Sequence, residues 1–476
     1  MWWLVFPALI VAFLAVILLR AARFSPKPQP EADGSSVEFD TQRAAQSLSS
    51  LIRFKTVSYR DSSLEDDSQF EGLIASLPEL YPNVSNTCEL MRFADRGLLY
   101  RWRGETDGAP AVMMAHYDVV PANEEAWDEP AFEGLIKDGH LWGRGALDTK
   151  VTMNGILFAA DHLISQGFVP KHDIYFAFSG GEEISGEGAV RIVEYFRDNG
   201  IEPDFVLDEG GAVVENVFPG VSKPCGLIGI AEKGMMDVCY SVTSQGGHAS
   251  APKPGAPIDR LSRACVSMLA HPFKCKLTPP AAKMFDTLGR HSSFIYKVIF
   301  ANIKLFLPVL DMICKKSGGE LNALMRTTVA FTQAKGSSAT NVIPPEASMV
   351  SNIRLNPADS MESALKYIKK TVNDDRVTVT CLDGSDPSRI SRTDCEGWDK
   401  VSSAVASTWS CIVSPYLMVQ CSDSRHYGAI SDKVYRFSAM DLTSDERASI
   451  HGNNERIRLD ALNRTVEFYI RLMKSC

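Results

Sequence analysis

The sequence predicts an α/β protein with a mainly parallel central sheet, an inserted α+β domain and an N-terminal transmembrane helix. Three observations support this prediction. Apolar runs of strand length alternate with helical patterns along most of the chain, the pattern changes near Gly234, and the chain begins with a long apolar segment. Strand–helix alternation is typical of parallel sheets, because parallel neighbours need a crossover connection that is usually a helix.

The composition is that of a globular protein of 476 residues, which corresponds to about one to three domains. The chain is 45% hydrophobic and 22% charged, which argues against disorder, a collagen helix or a coiled-coil rod. Its 49 Lys and Arg against 58 Asp and Glu give a net charge of -9 without a basic tract, so we expect no nucleic-acid partner. The 11 cysteines include no CxxC pair, which excludes a zinc ribbon and argues against a disulfide framework.

The segment 2–19 is apolar throughout and predicts a transmembrane helix. In a helix it would span ~27 Å, close to the ~30 Å hydrocarbon core of a bilayer. The basic residues near this segment all follow it: Arg20, Arg23 and Lys27. The positive-inside rule therefore favours a single-pass membrane anchor with the body of the protein on the cytoplasmic face. An outward-facing anchor and a cleaved signal peptide remain alternatives, and the sequons at Asn83 and Asn463 favour the extracytoplasmic side.

The segment 20–38 is predicted to be a linker, and 39–232 the first part of the main domain. The elements predicted in that part are a helix at 41–54, a strand at 111–120, a helix at 151–165, a strand at 173–179, a helix at 188–199 and a strand at 205–207. The strands at 111–120 and 173–179 are almost continuously apolar, as expected for strands that are buried on both faces.

The pattern changes between residues 233 and 385. Alternating strands are predicted there at 235–243 and 347–355, with a helical stretch ending at Leu269, a helix at 360–372 and a strand at 377–381. This mixture predicts a small α+β domain inserted into the main domain. The chain then returns to α/β character in 386–476, the second part of the main domain.

The segment Phe294 to Cys314 in the inserted domain is strongly apolar. One interpretation is an amphipathic helix packed on its own domain. The alternative is a flap that contacts a membrane or binds an acyl chain, because so much apolar surface is difficult to cover in a small domain.

Six potential metal ligands follow predicted strands or lie in polar turns. They are His116 in AHYDVVP, Asp148 in GRGALDTK, Glu182 and Glu183 in SGGEE, Asp208 in FVLDEGG and His451 in SIHGNNE. Asp118 lies two residues after His116, so in a strand both side chains share a face and Asp118 can orient the imidazole. Each motif alone has an ordinary explanation, such as a surface pair or a helix cap. Together they indicate a site, because ligands in α/β folds gather beyond the carboxyl ends of strands.

Histidines and carboxylates together favour zinc, with cobalt and manganese as alternatives, rather than a thiolate site. Two such ions sharing a carboxylate would hold a water molecule and lower its pKa from ~15.7 towards ~7. A neighbouring carboxylate would then move the proton. Such a set of residues is therefore suited to the hydrolysis of a substrate by a metal-activated water.

The motifs AHYDVVP, GRGALDTK, SGGEE, DEGG, GGHAS, TNVIPP and SIHGNNE occur in the order and approximate spacing of the M20 family of metallopeptidases. The chain resembles the branch of carboxypeptidase S and the N-acyl-amino-acid hydrolases, from about residue 40 to the end. The resemblance implies a zinc-exopeptidase-like catalytic domain in 39–232 and 386–476, with a lid and dimerisation domain in 233–385. It also implies cleavage of a peptide or N-acyl amide bond adjacent to a free carboxylate.

The resemblance assigns roles to the candidate ligands. It implies a first metal on His116, Asp148 and Asp208, and a second on Asp148, Glu183 and His451. Glu182 would be the general base, and Asp118 would orient His116. In the lid, His248 of GGHAS would reach across a homodimer to polarise the scissile carbonyl. Asn341 and Arg354 would grip the substrate carboxylate, with help from Arg425.

Two features depart from the family pattern. Cys421 and Ser422 stand where relatives commonly carry glycines, and the apolar stretch Phe294 to Cys314 lies outside the minimal lid. Both departures leave the substrate, but not the reaction type, open between a peptide and a long-chain N-acyl amino acid. Independently of them, the sequence leaves the direction of the amide reaction open between hydrolysis and synthesis. A non-catalytic binding module on the same scaffold is the alternative from another class.

Overall fold

The computed structural model describes residues 2–216 and 218–476, with side chains from residue 5 onward. Its strands are β1 (Glu89–Phe93), β2 (Gly97–Trp102), β3 (Ala111–His116), β4 (Leu135–Lys137), β5 (His140–Trp142), β6 (Ile174–Ser179), β7 (Phe205–Val214), β8 (Cys225–Glu232), β9 (Gly234–Thr243), β10 (Gly247–His248), β11 (Thr328–Lys335), β12 (Val342–Ile343), β13 (Glu346–Leu355), β14 (Thr378–Ser385), β15 (Ile412–Met418), β16 (Val434–Asp441) and β17 (Arg456–Arg458).

The helices connect these strands and cover both faces of the main sheet. They are α1 (Trp2–Ala22), α2 (Thr41–Ile52), α3 (Asp67–Leu80), α4 (Pro82–Thr87), α5 (Lys150–Ser165), α6 (Gly188–Asp198), α7 (Pro257–Ala270), α8 (Pro279–His291), α9 (Phe294–Phe300), α10 (Ile303–Ser317), α11 (Gly319–Met325), α12 (Met361–Val372), α13 (Glu396–Trp409), α14 (Ser444–Ser449) and α15 (Leu459–Lys474).

The main sheet has eight strands in the order β1-β2-β6-β3-β7-β16-β8-β15. The pairs β6–β3, β3–β7, β7–β16 and β8–β15 are parallel, whereas β1–β2, β2–β6 and β16–β8 are antiparallel. The α/β fold is as predicted: four of the seven neighbouring pairs are parallel, and the three antiparallel pairs make the sheet mixed. Strands β1 and β2 extend the parallel centre on one side, and β8 and β15 extend it on the other. None of these four strands was predicted from the sequence.

The centre of the sheet is buried on both faces. Met113 and Ala115 of β3 pack with α5 and α15, whereas Val112 and Met114 pack with α6 on the opposite face. Successive side chains of a strand point to opposite faces, so a strand covered on both sides must be apolar throughout. This is why all six residues of β3 are buried.

A second, four-stranded antiparallel sheet has the order β11-β13-β9-β14. Helices α7 and α12 pack on one of its faces, and a separate apolar core lies between them. All of these elements come from residues 234–385. The division of the chain at 39, 233 and 386 stays a prediction, because the sheets alone do not define independent domains.

The N-terminal helix α1 is longer at its C-terminal end than predicted, reaching Ala22. By length and composition, Val5–Ala22 is able to cross a membrane, a test that a signal sequence also passes. The last part of the helix packs on the body of the protein, where Ile17 and Ala21 are buried. The following linker, predicted at 20–38, contributes buried Phe24 to the core around α8 and α9.

Two strands differ from their predicted bounds in ways that affect the site. Strand β3 ends at His116, four residues earlier than predicted, so His116 lies at the very edge of the sheet. Strand β7 continues to Val214, whereas the sequence placed its end at Leu207. The glycines in the DEGG motif obscure this continuation, because glycine is unfavourable in a strand interior.

Candidate metal centre and substrate cavity

His116 lies where the carboxyl ends of β3 and β6 meet, opposite Ser179 and beside the middle of β7. Its Nδ1 is 2.9 Å from the backbone carbonyl oxygen of Asp118. A carbonyl oxygen only accepts hydrogen bonds, so Nδ1 carries the proton and Nε2 keeps its lone pair for a metal. The prediction gave this role to the Asp118 carboxylate, which lies further away, at 3.4 Å.

Asp148 connects the two histidines. Its Oδ1 is 3.0 Å from Nε2 of His116, and its Oδ2 is 3.0 Å from Nε2 of His451. Burial alone would raise the pKa of Asp148, but the hydrogen bonds with both histidines hold it below its usual value. A carboxylate with one oxygen directed to each side can bridge two cations. Residues more than 300 positions apart therefore meet at one point.

Glu182 and Glu183 lie in a single helical turn directly after β6. The carboxylate of Asp118 accepts hydrogen bonds from both of their backbone amides, at 3.1 Å from Glu182 and 3.2 Å from Glu183. The Ser58 hydroxyl donates a third, at 2.7 Å. Asp118 therefore holds the backbone of the two glutamates, while its carboxylate also lies 3.4 Å from Nδ1 of His116.

The structure places Glu209, not Asp208, beside His116. Oε1 of Glu209 is 3.5 Å from Nε2 of His116. Asp208 is buried and accepts a hydrogen bond from the Ser424 amide at 2.9 Å. Since neighbouring side chains of a strand point in opposite directions, only one of the two can face the ligands. The sequence-based choice of Asp208 assumed that the strand ends there, which it does not.

Glu455 is a further residue of the site that the sequence did not single out. It is fully buried, and its Oε1 accepts the backbone amides of Gly145, Leu147 and Asp148 at 2.7–3.2 Å. Its other oxygen pairs with Arg144 at 2.6 Å. It thereby fastens the turn carrying Asp148 to the turn carrying His451. The sequence did contain an indication of this role, because Glu455 lies four residues after His451 in the same motif, SIHGNNE.

The chemistry of the cluster fits divalent metal ions. Ligand atoms of His116, Asp148 and Glu183 lie within 4.8 Å of one another, as do those of His116, Glu182 and Glu209. Burial and neighbouring acidic groups raise the pKa of both Glu182 and Glu209 well above the usual range. Oε1 of Glu183 is buried without a hydrogen-bond donor of good geometry, 3.2 Å from Nε2 of His451. So many buried acceptors are costly without a cation.

A cavity of about 620 Å³ opens from this cluster. One end is formed by Asp148, Glu182, Glu183, Glu209 and His451. Much of the remaining wall is apolar, from Ala212, Val214, Leu227, Ala323, Tyr416, Met418, Val419, Met440, Leu442 and Ile450. Small-molecule sites typically combine apolar walls with a few convergent polar groups.

Two of the predicted substrate-binding residues lie near this cavity. Nη1 of Arg354 is 3.4 Å from Sγ of Cys421, which lines the wall. Burial raises the pKa of the Cys421 thiol and Glu232 adds to this, while positive charge on Arg354 and Arg425 opposes it. Arg354 therefore contacts Cys421, one of the positions that departs from the family pattern, and Arg425 lies in the helical turn Asp423–Ala429 that follows it.

His248 and Asn341 lie together but away from the cavity. Strands β10 and β12 pair so that His248 is opposite Val342, and the Asn341 carbonyl accepts the Ala249 amide at 2.9 Å. Both residues are exposed, and neither lines the cavity. Within one chain, the structure does not bring them to the metal ligands.

A cluster of histidines and carboxylates at the edge of an α/β sheet, beside an apolar cavity and a second sheet, defines a metallohydrolase architecture. The chain belongs to peptidase family M20/M25/M40, whose family model matches residues 112–475. It is accordingly an M20-type peptidase or amidohydrolase.

Named relatives agree with this assignment. The chain is 33% identical to "Probable carboxypeptidase S-like 2" of Dictyostelium discoideum, over 98% of this chain and 92% of the relative. It is 32% identical to "N-fatty-acyl-amino acid synthase/hydrolase PM20D1" of Xenopus tropicalis, over 98% and 93%. The fold resembles the M20 family metallo-carboxypeptidase Sso-CP2 from Sulfolobus solfataricus, with a TM-score of 0.66 and 16% identity over 90% of this chain and 98% of the other.

Proposed function

We propose that this M20 metallohydrolase cleaves the amide bond between a fatty-acyl group and an amino acid that keeps its free carboxylate. The observation that carries the proposal is the cavity, which joins a polar, metal-binding end to an apolar wall. A peptide with a C-terminal carboxylate needs the same polar end but has less use for so much apolar surface. The similarity to the Xenopus synthase/hydrolase supports the same choice.

The metal ligands in this proposal are His116, Asp148 and Glu209 for one ion and Asp148, Glu183 and His451 for the other, with zinc favoured by the mixed nitrogen and oxygen donors. Such ions lower the pKa of water to about 7 and polarise a carbonyl. Asp148 keeps the two sites together, and Glu455 keeps Asp148 in place.

Glu182 is the general base. Its carboxylate lies at the cavity end, and burial raises its pKa well above the usual range, which strengthens it as a base. It takes a proton from the attacking water and gives it to the nitrogen of the leaving amine. Asp118 holds the backbone of Glu182 so that the carboxylate stays directed at the cavity.

The substrate carboxylate is held by the arginines near Cys421. Arg354 and Arg425 carry the positive charge, and Asn341, which lies away from the cavity of its own copy, contributes a hydrogen bond from a second copy of the chain. His248 stabilises the developing oxyanion from a second copy of the chain, since its own copy keeps it away from the cavity. This requires a homodimer formed through the lid.

The proposal is tested with full-length, zinc-loaded protein and four compounds: N-oleoyl-phenylalanine, the same compound as its carboxamide, N-acetyl-phenylalanine and Gly-Leu. We expect the oleoyl acid to be hydrolysed fastest and the carboxamide at least about tenfold more slowly, because a charged hydrogen bond is lost. Lengthening the acyl chain should raise kcat/KM by at most about fourfold per methylene. Rapid cleavage of Gly-Leu with an intact oleoyl acid would contradict the proposal.

A carboxypeptidase or dipeptidase is the second candidate, favoured by the similarity to the carboxypeptidase S-like relative. The same four compounds separate the two candidates. The reverse reaction, condensation of a fatty acid with an amino acid, uses the same groups and is measured by adding both products in excess.

Helix α1 is, in this proposal, a retained single-pass membrane anchor. Its C-terminal end is packed against the body of the protein, as expected of a segment that stays in the mature chain. The positive charges that follow it favour a cytoplasmic body.

A further inference from the structure

Helix α10 is apolar on two faces but is covered on only one. Ile303, Leu307, Leu310 and Cys314 pack inward against the core that contains Tyr416 and Met418. Leu305, Val309, Met312 and Ile313 follow the same helical spacing on the outer face and are all exposed. The charged residues Lys304, Asp311 and Lys315 lie between these two faces. A helix that exposes an apolar face beside charged residues is typical of helices that lie in a membrane interface.

The preceding helix α9 extends this surface. Phe294, Ile295 and Tyr296 are exposed at its start, and Ile295 is 75% exposed. Together α9 and α10 present seven large exposed apolar side chains from residues 294–313, which we call the apolar face. Seven large exposed apolar side chains within twenty residues make this segment a candidate interaction site.

The apolar face is continuous with the N-terminal helix. Nδ2 of the buried Asn302 donates a hydrogen bond to the Ile17 carbonyl oxygen at 3.3 Å, and α1 packs along α9. Arg290 of α8 lies over the Phe24 ring, 4.3 Å from its centroid, and fixes the chain just after α1. Residues of α1 before this contact, such as Phe6 and Val11, are exposed.

The charges beside the apolar face fit a lipid surface. Five basic residues lie at or next to it and at the end of α1: Arg20, Arg23, Lys304, Lys315 and Lys316. Basic side chains around an apolar face attract anionic headgroups, each contributing about 1 kcal/mol near the surface. An exposed apolar surface beside a membrane-length helix is therefore suited to a bilayer rather than to a soluble partner.

The apolar face also adjoins the substrate cavity. Helix α11 follows α10 through Gly318 and Gly319, both in the left-handed region with φ of 66° and 73°. Glu320 and Ala323 of α11 line the cavity, and Tyr416 in its wall donates a hydrogen bond to Glu320 at 2.9 Å. Helix α10 thus carries part of the apolar face, and helix α11, which follows it directly, forms part of the cavity wall.

We propose that α9 and α10 lie in the membrane interface beside α1, and that through this contact the enzyme takes its acyl substrate directly from the bilayer. This rests on the proposed function for the identity of the substrate, but the membrane contact itself does not. An acyl chain that stays in lipid until it enters the cavity avoids exposure of its methylenes to water.

The contact is tested by cross-linking with the full-length protein in vesicles of phosphatidylcholine and phosphatidylserine. A benzophenone amino acid replaces Met312, which is 64% exposed on α10, or Val266, which is 65% exposed on α7. We expect lipid adducts from position 312 and none from position 266. Adducts from position 312 to a second copy of the chain, or no difference between the positions, would overturn the proposal.

Substrate delivery is tested with two double variants. Met312→Glu with Ile313→Glu should lower kcat/KM for N-oleoyl-phenylalanine in vesicles by about tenfold, because charge is unfavourable in lipid. It should leave water-soluble N-acetyl-phenylalanine unaffected. The matched control, Val266→Glu with Leu269→Glu, should change neither. An unchanged rate on the oleoyl substrate overturns delivery from the bilayer.

The two experiments distinguish a failure of the proposed function from a failure of the membrane contact or of substrate delivery. If neither substrate is hydrolysed by the unmodified protein, the proposed function is wrong, and the cross-linking result still decides the membrane contact. If both substrates lose activity equally in the charged variant, the damage is to the fold or the site, and delivery from the bilayer is overturned.

Discussion

The metal-binding edge of the main sheet and the β10–β12 ladder of the lid carry residues of the same predicted machinery, but they are built differently. At the metal edge, buried Asp118 and Glu455 hold the backbone turns that present the ligands. At the ladder, His248 and Asn341 are exposed and rest on a two-residue strand pair. The first site is assembled within one chain, whereas His248 and Asn341 lie away from it in the same chain and act from a second copy only in the proposed mechanism.

The largest expected effect belongs to the metal edge. Glu182→Gln should reduce kcat by roughly 10²–10⁴-fold while both metal ions stay bound, because the proton acceptor is lost but no ligand is. Metal content by mass spectrometry and turnover of the oleoyl substrate measure this. Asp148→Ala is the control that should lose metal. Near-normal turnover of Glu182→Gln would remove this residue from the mechanism.

Glu455→Gln should destabilise the fold by about 3–5 kcal/mol, because the buried guanidinium of Arg144 loses its partner. Denaturant unfolding monitors this change. The matched control is Glu187→Gln, which breaks an exposed pair with Arg191 and should cost no more than about 1 kcal/mol. Equal losses in both variants would mean that the metal edge is not held by this buried pair.

His248→Ala should reduce kcat by roughly 10²–10³-fold, the usual effect of removing an oxyanion donor, with stability and metal content unchanged. The variant also tests the role of a second copy. Mixing it with Glu182→Gln should restore part of the activity if dimers exchange, because one composite site then keeps both groups. No restoration in a confirmed mixed dimer would place His248 outside the partner's site.

Variants of Glu209 and Asp208 decide which of these two neighbouring acids is a metal ligand. Glu209→Gln should weaken the binding of one metal ion by about 10–100-fold or more, whereas Asp208→Asn should keep it, since an amide oxygen still accepts the Ser424 amide. Competition with a chelator gives both affinities. The reverse order would return Asp208 to the ligand set.

The smallest effect concerns Lys233, at the junction between the sheets. Burial lowers its pKa to about 7, and its Nζ donates to the carbonyl oxygens of Ala323 and Arg326. Between pH 7 and about 10.5 the unfolded chain holds a proton that the folded chain lacks, so stability rises with pH. Its share is at most about 1.4 kcal/mol per pH unit. The free energy of unfolding should increase less from pH 7 to pH 9 in Lys233→Met than in the unmodified protein. Equal increases in the two proteins would contradict this.

Much of the site was predictable because it depends on short-range features. The end of an apolar strand places His116, and the turn after the next apolar strand places Glu182. Asp208 shows the limit of such reasoning. Whether β7 stops or continues decides which of two neighbouring acids faces the ligands, and this depends on pairing with β16, more than 200 residues away.

The residue types and their order determined the α/β fold, the family and five of the groups that the structure gathers in the cluster of histidines and carboxylates, because hydrophobic periodicity and motif spacing are local properties. The sequence also marked α10 as unusually apolar without indicating what it touches. Only the tertiary structure decided the mixed sheet and the position of Glu209 beside His116. It also decided that Glu455 holds the turn of Asp148, and which side of α10 remains uncovered. These depend on which distant segments become neighbours, and the free energy of that choice is shared by the whole chain.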